Sequence, residues 1–156
     1  MNIYIDIHNN VIILGKPATK KEAAFYFKME FSFGLDTPTG KKRAIEKILA
    51  NEELALLKNE QNNTLILSDE TVGFGLFDLP KLSKFKTEDV FDTRFKMSYP
   101  NFADYYVKKS EYSKTSDGVL YFYSFAKKKT VDEIVDIFSK NGVNIASINF
   151  FSCSHS

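Results

Sequence analysis

A strand, a helix and a second strand can be read between Asp117 and Phe151, and this run constrains the fold more than any other. Val119-Leu120-Tyr121-Phe122-Tyr123-Ser124-Phe125 is almost wholly apolar or aromatic, bounded by Asp117-Gly118 and by three lysines. That pattern predicts a strand buried on both faces. Thr130-Val131-Asp132-Glu133 has the form of a capping box. Val131, Ile134, Val135 and Phe138 then fall at i, i+3, i+4 and i+7, one apolar helical stripe. Asn141-Gly142 supplies a left-handed stop, and Val143 to Phe151 resumes as a strand. Two strands joined this way are expected to lie parallel, with a right-handed crossover.

Upstream, Ile3, Ile5 and Ile7 alternate with Tyr4 and Asp6, and Val11 to Leu14 follows the turn pair Asn9-Asn10, so residues 3 to 14 read as a hairpin. Phe25, Phe27, Met29, Phe31 and Phe33 alternate with Tyr26, Lys28, Glu30 and Ser32. Period 2 predicts a third strand over 25–33 and overrides a helix start at Thr19. Gly34 to Gly40 reads as a loop. Ile45, Ile48 and Leu49 mark a helix, with a break at Asn51 before Leu54, Leu56 and Leu57. Thr64 to Leu67 is a short buried strand, so residues 1 to 71 read βββαβ.

From Thr71 the pattern becomes strand, helix, strand, strand. Val72 to Leu79 is a strand closed by Pro80. Thr87 opens a helix whose Phe91, Phe95 and Tyr99 lie at i, i+4 and i+8. Tyr105 to Tyr112 is a strand, and Val119 to Phe125 the next. No internal repeat, low-complexity tract or long linker separates independent domains.

Residue chemistry by itself assigns no function. The 21 Lys/Arg against 20 Asp/Glu leave a net charge of +1, too little for a strong pull on nucleic acid or anionic lipid. One cysteine, Cys153, excludes an internal disulfide and fits a reducing compartment. Neither a signal peptide nor a membrane span is expected. His8, two residues beyond Asp6, reads as a loop histidine. Cys153 and His155 lack a third orienting group and read as chain-end residues. Val72-Gly73-Phe74-Gly75-Leu76-Phe77 has a faint likeness to an RNA-recognition strand but lacks its basic residue, so core packing is expected. Lys127-Lys128-Lys129 reads as a solvated loop. There is no phosphate-binding Gly-rich loop, CxxC, HExxH or GxSxG motif.

The whole order, βββαβ, then strand-helix-strand-strand, then helix-strand, resembles the first domain of the PilM/FtsA branch of actin-like ATPases. The resemblance is nearest to the type IV pilus PilM family and extends to the GspL cytoplasmic domain of type II secretion. It is carried by Ile3-Tyr4-Ile5-Asp6-Ile7, by Thr64 to Leu67, Asp69 and Val72 to Pro80, by Lys86 to Tyr112, and by Ala126-Lys127-Lys128 through Asn141-Gly142-Val143.

This resemblance implies an α/β fold: a ribonuclease-H-like, actin-like first-domain core at 1–71 and 129–156, with a small α+β subdomain inserted at 72–128. In that family the first strand leads into Asp-x-Gly and small hydroxyl residues, which receive phosphate and magnesium. Here the stretch is Asp6-Ile7-His8-Asn9-Asn10, so Asp6, His8 and Asn9 stand as a degenerate first phosphate loop. Asp6 alone could still hold a hydrated magnesium. A second phosphate loop and an adenosine pocket are absent from the sequence. The resemblance therefore implies a non-catalytic scaffold with no cofactor and no metal ligands.

The implied partner is an inner-membrane pilus or secretion subunit, held by a PilN-like cytoplasmic tail. The implied place is the cytoplasm, at the inner face of the membrane, without nucleic acid and with self-association allowed. The alternatives are an FtsA-like division protein, an RNA-binding domain using the strands at Phe74 and Tyr121, and an active nucleotide-binding enzyme.

Overall fold

The computed structural model describes residues 1–69 and 72–152. The chain divides into two compact units, Met1–Thr71 with Lys129–Ser156, and Val72–Lys128.

The first unit is a five-stranded mixed sheet. Its strands are β1 (Asn2–Asp6), β2 (Val11–Lys16), β3 (Phe25–Glu30), β4 (Asn63–Asp69) and the last strand of the chain, Ile145–Ser152, in the order β3-β2-β1-β4-last. β1 pairs antiparallel with β2 and parallel with β4. The alternating isoleucines decide which face is buried. Ile3, Ile5, Ile12, Leu14, Leu65 and Leu67 share one face and are all buried. Helix α1 (Pro38–Leu49) contributes buried Ala44, Ile45 and Ile48 to the core.

α1 takes in the last three residues of the expected loop, 38–40. Thr37 caps it, its hydroxyl accepting the Gly40 N–H at 3.0 Å, and Pro38 fits the first helical position, where no N–H is needed. The break at Asn51 is present. Asn51 caps a 3-10 segment, Glu52–Lys58, that buries Leu54 and Leu57. β3 is shorter than its alternation predicts. Phe31 N–H still donates to the Asn10 carbonyl, but the Asn10 side chain takes Leu35 N–H at 2.8 Å and turns the chain away. Phe31 and Phe33 then pack on each other, with the Arg43 guanidinium over Phe33.

The second unit is a three-stranded antiparallel sheet with one helix. Its strands are β5 (Gly73–Pro80), β6 (Tyr105–Lys114) and β7 (Gly118–Lys127), in the order β5-β7-β6, and its helix is α2 (Lys84–Ser98). α2 starts at Lys84 rather than Thr87. Ser83 is the cap, and the Thr87 hydroxyl donates back to the Ser83 carbonyl at 2.9 Å. Phe91 and Phe95 of α2 form a buried cluster with Phe77, Leu79, Tyr123 and Phe125. Burial and a 2.9 Å hydrogen bond between its hydroxyl and that of Tyr99 hold the Tyr123 phenol well above its ordinary pKa.

Helix α3 (Lys128–Lys140) and β8 (Ile145–Ser152) return to the first unit. The expected parallel pairing across this helix is not formed. β7 pairs with β5 and β6, whereas β8 pairs with β4 in the other sheet. Nor is β7 buried on both faces, since Phe122 is 37% exposed: one helix covers only one side of the small sheet. The capping box is also not used. The strand runs directly into α3 at Lys128, so Thr130 lies inside the helix and Lys127 to Lys129 form a strand-helix junction, not a loop. The left-handed stop is formed: Gly142 has φ +80, and Val143 N–H donates to the Phe138 carbonyl at 2.9 Å.

The two glycines of β5 explain the sequence likeness to an RNA-recognition strand. Gly73 lies opposite Phe125 and Gly75 opposite Tyr123, and a methyl at either would overlap that ring. They leave room for aromatic rings to fold across the strand. Gly75→Ala should therefore destabilise the small unit by about 1–3 kcal/mol through overpacking. Urea denaturation checks this. A gain in stability, the usual entropic result of Gly→Ala in an unstrained strand, would refute the packing role.

Candidate functional site

β1 and β4 run parallel, so their C-terminal ends open on the same edge of the sheet, with Asp6 level with Ser68. Ile7 N–H donates to the Ser68 carbonyl at 2.9 Å. The β1–β2 turn then closes on itself. Asp6 accepts the Asn9 backbone N–H at 3.0 Å and the Asn9 side-chain amide at 2.8 Å, one on each carboxylate oxygen. Asn10 takes φ 56, which the short polar side chain tolerates.

Of the three residues singled out in the sequence, Asp6 and Asn9 are thus bound to each other. His8 lines a cleft of about 270 Å³ with Ile7, Asn10, Gly34, Asp36 and Asp69. Among the described residues that line it, this cleft carries two carboxylates and no lysine or arginine, so its electrostatics oppose a phosphate. Side chains at Ile7, His8, Asn9 and Asn10 occupy the stretch where a phosphate loop presents bare backbone. Among the described residues, no three His, Cys, Asp or Glu side chains converge at metal-binding spacing. The residues present do not fit a magnesium-phosphate group. Cys153 and His155 lie outside the described residues.

The Asp6 carboxylate instead braces the turn. Asp6→Ala should cost about 1 kcal/mol, the loss of two partly solvated hydrogen bonds, measurable as a lower urea midpoint. An unchanged midpoint would show that the turn does not need this brace. Asp36 and Gly34 were not singled out in the sequence. They flank Leu35, whose N–H is held by the Asn10 side chain, and so lie at the cleft.

A second surface belongs to the small unit alone. Strand alternation sends Phe77, Tyr121, Tyr123 and Phe125 toward α2, and Phe74, Leu76, Leu120 and Phe122 to the opposite face. Leu76 lies directly across from Phe122; the two are 53% and 37% exposed. The Phe74 and Phe122 rings lie 5.8 Å apart. Tyr106 of β6 lies on the same face, with the Lys128 ammonium 5.5 Å from its ring centre. Leu76, Tyr106 and Phe122 thus give this face an exposed apolar and aromatic patch with one lysine beside it, suited to protein contact. Tyr121 turns the other way, its ring 6.2 Å from Phe91, so Phe74 and Tyr121 do not share one stacking platform.

The sequence matches no family model and no curated protein. Solved structures do match. A PilM-PilN type IV pilus biogenesis complex aligns over 95% of this chain and 46% of the matched chain, with a TM-score of 0.74 at 12% identity. The cytoplasmic domain of EpsL, an inner-membrane component of the type II secretion system of Vibrio cholerae, aligns over 95% of this chain and 56% of its own, with a TM-score of 0.59 at 7% identity. The chain spans about half the length of the chains it matches. At such low identity the likeness speaks for architecture, and on that level it agrees with the sequence resemblance: this chain shares the α/β fold of the matched parts of the PilM-PilN complex and of cytoplasmic EpsL.

Proposed function

We propose that this chain is a non-catalytic docking scaffold of a type IV pilus or type II secretion-like assembly. It works in the cytoplasm at the inner face of the membrane and holds the cytoplasmic segment of an inner-membrane partner. The observation that carries this reading is the match to the PilM-PilN complex over 95% of the chain. The exposed face around Leu76 and Phe122 supports it, because it offers a partner segment apolar contact area on a sheet. The β1–β2 turn supports the non-catalytic half, because Asp6 is engaged by Asn9 and the adjoining cleft is acidic.

Capture from detergent-solubilised membranes tests the docking half. The wild-type chain should retain an inner-membrane pilus or secretion subunit, and Leu76→Asp with Phe122→Asp should lose it while keeping the circular dichroism of the wild type. Recovery of RNA in place of protein would favour base stacking on the aromatic face and overturn the scaffold. Titration with magnesium and ATP tests the other half. No saturable heat is expected; saturable binding abolished by Asp6→Ala would make the chain a nucleotide-binding protein.

A further inference from the structure

Among the described residues, β3 is the end strand of the larger sheet and pairs only with β2. Its hydrogen-bonding phase can be read from the ladder. Phe31 N–H bonds to the Asn10 carbonyl, and bonded pairs alternate along antiparallel strands. Phe25, Phe27 and Met29 therefore direct their backbone groups to β2. Tyr26, Lys28 and Glu30 direct theirs outward, to an edge that no described strand occupies.

The side chains of these same three residues lie on the exposed face, and Lys28 and Glu30 form an ion pair at 3.1 Å. The Glu30 carboxylate holds the Lys28 ammonium above its ordinary pKa. Lysine on an edge strand usually guards against pairing, but here an adjacent carboxylate balances it. β3 also contains neither proline nor bulge. The edge strand of the smaller sheet contrasts with it. β6 carries Lys108, Lys109 and Lys114, and its register breaks between Glu111 and Ser113. That edge is blunted by charge and shape, whereas the edge at β3 is not.

We propose that β3 pairs antiparallel with β3 of a second copy of this chain, joining two five-stranded sheets into one. The choice of occupant follows from charge. A two-fold axis through Met29 brings Lys28 opposite Glu30 of the second copy and Glu30 opposite Lys28 of the second copy. Both residues have outward backbone groups, so the same register aligns the hydrogen bonds and the charges. The edge is short, so the contact is weak between free molecules and is strengthened where copies are held close together. The inference does not depend on the scaffold reading.

A charge exchange tests it. Lys28→Glu places two carboxylates opposite two carboxylates in a pair of like copies, and Glu30→Lys places ammonium groups opposite one another. Sedimentation velocity at concentrations up to about 1 mM, the range of weak protein contacts, should show reversible dimer for the wild type. Each variant alone should associate about tenfold more weakly or worse. An equimolar mixture of the two variants should recover the dimer, because every facing pair is then of opposite charge. A wild type that stays monomeric, a dimer indifferent to Lys28→Glu, or a mixture that fails to associate while both variants keep their fold would each overturn the proposal.

Discussion

Replacing Phe95 by alanine should destabilise the small unit by about 4 kcal/mol, within the range for deleting a buried aromatic ring. Phe95 lies midway along the stripe Phe91, Phe95 and Tyr99 that fastens α2 to its sheet. Its ring centre is 4.7 Å from that of Tyr99, 5.6 Å from Phe125 and 5.7 Å from Tyr123, the last two edge-on. A sheet of only three strands depends on a packed apolar face for its stability, and here α2 supplies the packing. The loss should therefore appear as faster hydrogen exchange throughout β5, β6 and β7, while amides of β1 and β4 keep their protection. Exchange that accelerates equally in both units would show that they unfold together and that the cluster is not a separate core.

The second large effect concerns a buried charge in the larger unit. Lys41 of α1 is buried, and its stem shares an apolar space with Ile5, Ile12, Leu35, Ile45 and Ile134. Its ammonium meets the Glu133 carboxylate of α3 at 3.2 Å. Glu133→Ala leaves that ammonium without its partner and should cost about 3 kcal/mol, the low end for breaking a buried pair because Glu133 keeps some contact with water. Lys41→Met combined with Glu133→Gln should recover most of the loss, since an apolar side chain of similar length suits the site. Urea unfolding of the three proteins checks both statements. If the double variant is as unstable as Glu133→Ala, the pair holds α1 and α3 together by attraction, and desolvation of the lysine is not the main cost.

The second case also shows where sequence reasoning stops. Glu133 fits a capping box in the sequence, and the helix stripe of Val131, Ile134 and Phe138 is found buried as the period predicts. The carboxylate nevertheless serves Lys41, because the helix starts earlier than its cap pattern implies. Local pattern was decisive wherever the physics is local. The alternation over Phe25 to Met29, the break at Asn51 and the turn at Asn141-Gly142 all follow from periods of 2 and 3.6 or from positive φ.

Sheet membership was not local. An apolar run such as Val119 to Phe125 reads alike whether it lies in a parallel sheet between two helix layers or in a small antiparallel sheet with one face open. Only the pairing with β5 and β6 exposes Phe122. The candidate cleft was legible in the same uneven way. His8 could be placed at the end of the first strand, but Asp36 lines the same cleft beside Leu35, whose N–H donates to the Asn10 side chain, a contact that spacing does not encode. Leu76 and Phe122 were hidden by abundance. In a chain with 15 phenylalanines, no single one announces that it faces outward.

The most direct test of the scaffold reading is photocrosslinking from position 122 in intact cells, with a photoreactive amino acid in place of Phe122. Irradiation should yield one dominant adduct in the membrane fraction, and mass spectrometry should identify it as an inner-membrane subunit of a pilus or secretion assembly. Leu76→Asp in the same chain should abolish it. Adducts to RNA, or to division proteins with no pilus or secretion component, would contradict the account.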